Sequence, residues 1–223
     1  MSDKLHEFHN DAIHVTWSRA RCIHAAACVA LMPEVFQPGE RPWVRLEGAD
    51  AHEVARVVRR CPTGALHYTR EDGAEAETRP EHNVVRVSRG GPLFVHGDVE
   101  LRDADGNVLL RDSRVALCRC GASGHRPLCD NSHLASGFRD PGEVRHLDAV
   151  EGADPGPGPN PLVVTAERNG SFRLEGPFVI SSNDATTRIE GTSTWLCRCG
   201  QSQDKPFCDG SHERVGFRDE PGA

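Results

Sequence analysis

A cysteine-rich segment occurs twice in the chain, at residues 118–140 and again at residues 197–219. The two copies align without a gap, and each places three cysteines and one histidine at the same positions. The first set is Cys118, Cys120, Cys129 and His133, and the second is Cys197, Cys199, Cys208 and His212. Self-similarity of this kind indicates two copies of one structural unit. The fold therefore has to accommodate two matching sets of candidate metal ligands.

The other three of the nine cysteines are Cys22, Cys28 and Cys61. Three cysteines per segment is an odd number, which fits poorly with self-contained disulfide-bonded domains. The first residues carry acids and histidines instead of a basic and then apolar export signal, so we expect a cytoplasmic protein. In that reducing compartment, clustered cysteines are typical of metal sites. Hydrophobic residues make up only 37% of the chain, so bound metal is expected to help stabilise a small core.

Three cysteines and one histidine can hold either a tetrahedral zinc ion or a [2Fe–2S] cluster, because both take four protein ligands. The spacing favours the cluster. A Cys-x-Cys pair directs two thiols to one small region, where they can bind one iron, and the third cysteine and the histidine are four residues apart. That spacing places them about one turn apart at a helix start, where they can bind the other iron. Zinc sites more often use Cys-x₂₋₄-Cys, and zinc stays open as the alternative.

Both segments match the motif C-x-C-x₂-S-x₃-P-x-C-D-[GN]-S-H and so resemble the mitoNEET-type CDGSH iron–sulfur family. The second copy fits in full, with Ser202 and Pro206 at the motif positions, whereas the first has Asn131 where the family has glycine. Asparagine tolerates a left-handed backbone better than most residues, so we expect the first loop to be preserved. The resemblance implies a redox-active [2Fe–2S] cluster on each Cys₃His set. It also implies a β-rich fold that usually needs two chains and that tandem members build as an internal pseudo-dimer.

The histidine ligand has a physical consequence for each site. An oxidised [2Fe–2S] core carries two positive charges, so four thiolates leave a net charge of about −2 and three thiolates with a neutral imidazole leave about −1. A less negative site is easier to reduce, so the reduction potential should lie above that of all-cysteine ferredoxins. Protons compete with iron for the imidazole, so the cluster should be labile in mild acid.

Two further residue types in each copy are candidates for supporting roles. Asp130 and Asp209 follow the third cysteine, and we interpret them as helix N-caps that orient the loop and the histidine. Arg119 and Arg198 lie between the paired cysteines. They either offset the negative charge of the site or face solvent, and the sequence leaves both possibilities open.

The N-terminal cysteines show a weaker signal of a third cluster. Bacterial ferredoxins use C-x₂-C-x₂-C with a remote Cys-Pro. Here Cys22 and Cys28 stand at the first and third positions of the run, Cys61-Pro62 supplies the remote pair, and Ala25 occupies the middle position. Three thiolates suit a [3Fe–4S] cluster. The segment also resembles the divergent mono-cluster ferredoxin family, which implies [4Fe–4S], with His24 or water at the missing corner. We interpret His24 as a surface residue, and we slightly favour [3Fe–4S] on the ligand count.

The expected fold class is α+β: a small ferredoxin-like domain followed by two β-rich CDGSH repeats packed as an intramolecular pseudo-dimer. A capping box, Asp50-x-x-Glu53, predicts the start of a helix in the first domain. The predicted divisions are residues 1–75 for the ferredoxin-like domain, 82–150 and 162–223 for the first and second CDGSH domains, and 151–161 for a Pro/Gly linker.

The expected function is electron transfer by two [2Fe–2S] clusters and one [3Fe–4S] or [4Fe–4S] cluster. A carrier or sensor that releases clusters when histidine is protonated is the alternative, and a zinc-stabilised interaction module is a third class. The expected partner is a redox protein or an apo-acceptor of clusters. The net charge of −7 disfavours nucleic acid, and Ile23–Met32 is too short to span a membrane. We find no nucleophile–base pair, phosphate loop or dinucleotide fingerprint, so we do not expect an enzyme. Because the two repeats are expected to pair within one chain, we expect a monomer.

Overall fold

The protein is described by a computed structural model that covers residues 4–145, 148–152 and 161–219. Most of its regular structure is β-strand, with four short helices in these ranges. The chain divides into two compact units, Met1–Thr78 and Arg79–Ala223, so both cysteine-rich repeats belong to one unit. The predicted linker at residues 151–161 falls largely outside the described residues, because 153–160 are not among them.

The first unit is a three-stranded antiparallel sheet with two helices. Its strands pair in the order β1-β2-β3. The elements are β1 Leu5–His9, β2 Ile13–Ser18, α1 Ala27–Leu31, α2 Ala51–Val58 and β3 Leu66–Arg70. The predicted helix start is confirmed, because the Asp50 side chain accepts a hydrogen bond from the backbone N–H of Glu53 at 2.9 Å. Val54, Val57 and Val58 form the buried face of α2 and pack into a core with the inner face of the sheet.

The second unit is a six-stranded sheet followed, in each repeat, by a loop and one helical turn. Its elements are β4 Val84–Val87, β5 Leu93–Arg102, β6 Val108–Leu117, α3 Ser132–Ala135, β7 Leu162–Ala166, β8 Phe172–Ser181, β9 Arg188–Leu196 and α4 Ser211–Arg214. No helix in the described ranges is long and apolar enough to cross a bilayer.

The strands of the two repeats are interleaved. Within each repeat the first strand pairs antiparallel with the second, and the second pairs antiparallel with the third. In addition, β4 of the first repeat runs parallel to the end of β8, and β7 of the second repeat runs parallel to the end of β5. The two repeats therefore share one hydrophobic core, to which Val95 and Leu101 of the first repeat and Phe172 and Ile180 of the second contribute.

Candidate metal centres

The first candidate centre lies in the loop between β6 and α3. β6 ends at Leu117, directly before Cys118, and the loop returns beside it, because the Cys129 N–H donates to the Ala116 carbonyl at 2.9 Å and the Cys118 N–H donates to the Pro127 carbonyl at 2.9 Å. The Sγ atoms of Cys118 and Cys120 are 3.6 Å apart. The Sγ atom of Cys129 is 3.6 Å from Nδ1 of His133.

The second candidate centre repeats this arrangement after β9. The Cys197 N–H donates to the Pro206 carbonyl at 2.8 Å, and the Cys208 N–H donates to the Trp195 carbonyl at 2.9 Å. The Sγ atoms of Cys197 and Cys199 are 3.7 Å apart. Cys208 Sγ lies 3.4 Å from Nδ1 of His212.

These spacings are those of two donors that bind the same metal atom. Sulfur and nitrogen atoms at about 2.3 and 2.1 Å from a shared tetrahedral metal lie about 3.5–3.8 Å from each other. Each centre therefore offers one pair of thiols and one thiol–imidazole pair. Across the described part of the chain, no three His, Cys, Asp or Glu side chains converge closely enough to hold a single ion.

One thiol in each Cys-x-Cys pair is held close to its thiolate form. In the first centre, a hydrogen bond from Cys120 lowers the pKa of Cys118 to about 6, and the same contact raises the pKa of Cys120. In the second centre the contact between Cys197 and Cys199 likewise lowers the pKa of one thiol, Cys199, to about 6 and raises that of the other. Each pair shares one proton, and a metal that binds both sulfurs displaces it.

The first histidine is kept neutral by its surroundings. His133 is 8% exposed, and burial lowers its pKa although Asp130 acts in the opposite direction. A neutral imidazole is the form that binds metal. His212 occupies the equivalent position but is only half-buried. The two centres therefore share their geometry and differ in how well they are enclosed.

The prediction that Asp130 and Asp209 are N-caps is wrong by one position. The N-cap residues are Asn131 and Gly210, both with a left-handed backbone, at φ 73° and 78°. An N-cap residue in this conformation does not aim a side chain at the helix start, so the preceding aspartate serves instead.

Each of the two aspartates connects two parts of its own loop by accepting hydrogen bonds from backbone N–H groups. Asp130 accepts hydrogen bonds from the N–H of Ser132, at 3.0 Å, and from the N–H of Gly124, at 2.8 Å. Asp209 is bonded in the same way to Ser211 and Gln203, and the pKa of Asp209 lies well below its usual range because these hydrogen bonds outweigh its burial. The expected role in orienting the histidine loop is thus supported by a different set of bonds.

The two arginines are buried, which rules out the solvent-facing interpretation. Arg119 is 2% exposed and donates from Nε to the Gly91 carbonyl and from a terminal nitrogen to Asp140 at 2.7 Å. Its guanidinium also lies over the ring of Phe138, 5.1 Å from the centroid. The arginine therefore ties the turn before β5 to the tail that follows the ligand histidine.

Arg198 holds the corresponding parts of the second repeat together. It donates to the Glu167 carbonyl at 2.6 Å, forms an ion pair with Asp219 at 3.0 Å and lies over the ring of Phe217. Burial lowers the pKa of both arginines, while their ion pairs with Asp140 and Asp219 and, more weakly, a thiol of the opposite repeat (Cys197 for Arg119, Cys118 for Arg198) act in the other direction.

Two glycines bring the cysteine loops of the two repeats into contact. A Cβ atom added at Gly121 would lie 2.7 Å from the carbonyl oxygen of Cys199, and one added at Gly200 would lie 2.7 Å from that of Cys120. Both glycines have φ +78°. Only a residue without a side chain allows this approach. Each cysteine loop is therefore packed against a candidate ligand residue of the other centre. The sequence signal was available, as both glycines directly follow a Cys-x-Cys pair.

The three N-terminal cysteines are brought together around one cavity of about 330 Å³. Cys22 and Cys28 come from the loop before α1 and the start of that helix, and Cys61 follows α2. Burial raises the pKa of Cys28, and the neighbouring thiols of Cys61 and Cys22 raise it further. The Thr63 hydroxyl lies 3.6 Å from the Cys61 sulfur. The predicted set thus lines one site with three thiols.

Two residues beside this cavity have a left-handed backbone. His24 and Ala26 both have positive φ, at 51° and 59°, which is uncommon for residues other than glycine. His24 is exposed, as interpreted from the sequence, but it also lines the cavity. Among the lining residues, it is the one potential nitrogen ligand besides the two tryptophans, whose indoles do not bind metal.

Comparisons with known proteins match the segments that contain these cysteines. The family described as "Divergent 4Fe-4S mono-cluster" matches residues 8–71. The family described as "Iron-binding zinc finger CDGSH type" matches twice, at residues 90–134 and 169–213. The "Uncharacterized protein YjdI" of Escherichia coli K12 is 33% identical over 58 residues, which cover 26% of this chain and 76% of the relative, and the protein of strain O157:H7 gives the same figures. No solved structure matches.

Fold, sites and matches together define an iron–sulfur protein. More particularly, the chain belongs to the divergent 4Fe-4S mono-cluster family through its first unit and carries two tandem CDGSH domains in its second.

Proposed function

We propose that this protein transfers electrons by means of two [2Fe–2S] clusters on its CDGSH sites and one [3Fe–4S] or [4Fe–4S] cluster in its first unit. The observation that carries the proposal is the pairing of the donors, with two bidentate pairs in each CDGSH site at distances of 3.4–3.7 Å. A cluster bound to such sites takes up and returns one electron. The thiols of the first unit add a third site, and nothing in the three donor sets requires a substrate.

The two CDGSH repeats are proposed to act as an internal pseudo-dimer. The exchange of β4 and β7 between the repeats supports this arrangement, because each short strand completes the sheet of the other repeat. The reciprocal contacts of Gly121 with Cys199 and of Gly200 with Cys120 support it as well. In this arrangement, the polypeptide carrying one ligand set is packed directly against the polypeptide carrying the other.

Metal and sulfide analysis of anaerobically purified protein tests the proposal. We expect about eight acid-labile sulfides per chain, with about seven irons if the first unit holds [3Fe–4S] and about eight if it holds [4Fe–4S]. An oxidised [3Fe–4S] cluster has an odd number of electrons and gives an EPR signal, whereas oxidised [2Fe–2S] and [4Fe–4S] clusters are silent. Near-stoichiometric zinc without sulfide would contradict the proposal and favour an interaction module.

A second candidate function is cluster delivery, and the half-buried His212 favours it. Because the thiol–imidazole pair of the second site is less enclosed than that of the first, a chelator or acceptor protein can reach it more easily. An electron carrier keeps its spectrum through repeated reduction and reoxidation. A cluster carrier instead transfers iron and sulfide to an apo-ferredoxin. The two experiments on one preparation distinguish these functions.

A further inference from the structure

Arg119 and Arg198 place a buried positive charge beside each candidate CDGSH centre. Each lies between the two cysteines of a Cys-x-Cys pair, and the two residues are only 2% and 3% exposed. A charge in such a position is costly to bury. It also acts over a longer range than an exposed charge, because neither water nor salt screens it effectively.

The guanidinium of Arg119 is held in one place by contacts on all three of its nitrogen atoms. Nε donates to the Gly91 carbonyl at 2.9 Å, one terminal nitrogen forms the ion pair with Asp140 at 2.7 Å, and the other donates to the Ser88 carbonyl. The two carbonyls belong to the turn before β5, and the carboxylate belongs to the tail after α3. The position of this charge relative to the cysteines is therefore set by the fold.

The charge of Arg119 acts on candidate ligands of both centres. In its own repeat, burial lowers the pKa of His133, and Arg119 acts in the same direction. Burial lowers the pKa of Arg119 itself, and one of the groups that oppose this effect is Cys197 of the other repeat. Arg198 stands in the same relation to Cys118. The cysteine loops of the two repeats are in contact, which accounts for this reach from one repeat to the other.

We propose that Arg119 and Arg198 raise the reduction potentials of both [2Fe–2S] centres, each arginine acting on the centre of the other repeat as well as on its own. The inference rests on the proposed function, because it requires a cluster on each Cys₃His set. The reduced centre carries one more negative charge than the oxidised centre, so a fixed positive charge nearby stabilises the reduced form more. Net charge is one of the factors that set the potential of a cluster.

The ion-pair partners of the arginines allow a test of opposite sign. Asp140 and Asp219 carry the opposite charge, and their side chains are 7% and 18% exposed. Replacement of either aspartate by asparagine removes a negative charge, so it should make the centres easier to reduce. Damage to the ion pair alone would act in the same direction whichever partner is replaced. Opposite shifts therefore distinguish an effect of charge from an effect of structure.

EPR-monitored redox titration of the full chain tests this assignment. Cys129→Ala first assigns the two [2Fe–2S] signals, because it removes that of the first centre. Arg119→Gln is then expected to make both centres harder to reduce. For the first centre we expect about a tenfold change in the ratio of reduced to oxidised centre, which corresponds to about 59 mV for a one-electron couple, and for the second a smaller change. Arg119→Lys keeps the charge and should retain both potentials. The matched control, Arg139→Gln, removes an exposed charge beside Asp140 and should leave both unchanged.

Asp140→Asn decides the question if Arg119→Gln loses its iron, because it leaves the arginine in place. A higher potential in this variant supports the proposal, and an equal or lower potential overturns it. The proposal also fails if Arg119→Gln shifts neither centre or the first centre alone, or if Arg119→Lys shifts the potentials as far as Arg119→Gln. Wild-type protein without sulfide or a reducible [2Fe–2S] signal would show instead that the proposed clusters themselves are wrong.

Discussion

At the residue scale, each proposed CDGSH ligand set ends with a histidine, and an imidazole that binds iron in its neutral form brings one negative charge less than a thiolate. His133→Cys and His212→Cys add one negative charge to their own centre, so we expect each variant to lower the potential of that centre by on the order of 100 mV. Potentiometry followed by visible absorption and EPR measures the shift. The effect should be confined to one of the two [2Fe–2S] signals in each variant.

A matched control comes from the same loop. His125 is exposed and has no ligand spacing, so His125→Cys adds a thiol without altering a ligand set. Its potentials should equal those of the wild type. If His133→Cys behaved like His125→Cys, the assignment of His133 as a ligand would fail.

A histidine outside the centres should make the second unit sensitive to acid. His96 lies on β5 with its Nε2 atom buried and unpartnered, and burial together with Arg114 and Arg86 lowers its pKa. The unfolded chain then binds a proton more readily than the folded chain, so the stability contributed by neutral His96 is lost as the pH falls below about 6.5. His96→Gln should lose less of its free energy of unfolding between pH 7.5 and pH 5. Urea unfolding of both proteins measures this, and parallel pH profiles would contradict it.

The spacing of residues in the sequence predicts which candidate ligands lie close together where those ligands recur in a fixed pattern. The pairing of Cys118 with Cys120 and of Cys129 with His133 follows from separations of two and four residues. The burial of Arg119 did not follow, because its partner Asp140 lies beyond the ligand set and local sequence does not show that the tail folds back. The sequence thus predicts local geometry and leaves long-range partners undetermined.

At the element scale, the contact between the two cysteine loops depends on glycine. Gly121→Ala has two costs, a left-handed backbone and a Cβ atom 2.7 Å from the Cys199 carbonyl oxygen. Gly137→Ala has only the first, since Gly137 has φ +70° and a Cβ atom added there would meet nothing within 4 Å. We expect Gly121→Ala to be less stable than Gly137→Ala by about 1–3 kcal/mol, the usual cost of overpacking. Thermal or urea unfolding compares the two.

Gly200→Ala provides the reciprocal test. A Cβ atom at Gly200 would lie 2.7 Å from the carbonyl oxygen of Cys120, so we expect Gly200→Ala to lose a similar amount of stability. Both variants should also lower the iron content, because the obstructed carbonyls belong to ligand residues. Equal stability of the Gly121, Gly200 and Gly137 variants would show that the loops do not need this close approach.

The elements themselves were predictable where a cap or an alternating pattern marks them. Helix α2 begins directly after the predicted capping residue Asp50, and in β4 the buried residues Val85 and Val87 alternate with Val84 and Arg86. The long strand β6 had no such marker, because its first three residues, Val108–Leu110, do not alternate and Val108 and Leu109 are exposed. Its identity as a strand comes from pairing along β5, a tertiary contact that overrides local preference.

At the scale of the whole molecule, the interleaving of the repeats is the feature that a linear sequence shows least. The repeat alignment indicates two equal units and would be satisfied by two separate sheets. Parallel pairing of β4 with β8 and of β7 with β5 instead joins them into one core. The sequence of a short strand such as β4 or β7 does not show whether it pairs with a strand of its own repeat, of the other repeat or of both.

The exchange of strands makes a prediction about a single repeat. A fragment of residues 79–152 contains β4, β5 and β6 but lacks β7 and β8, so the end of β5 and one edge of β4 lose their partners. A second copy of the fragment can supply them, because β4 and β5 correspond to β7 and β8. We therefore expect the fragment to hold iron only as a dimer and to lose it on dilution, since folding coupled to association depends on concentration. Residues 79–223 should retain both clusters at any dilution. Sedimentation with iron analysis compares the two, and a monomeric fragment with a full cluster would show that one repeat is sufficient.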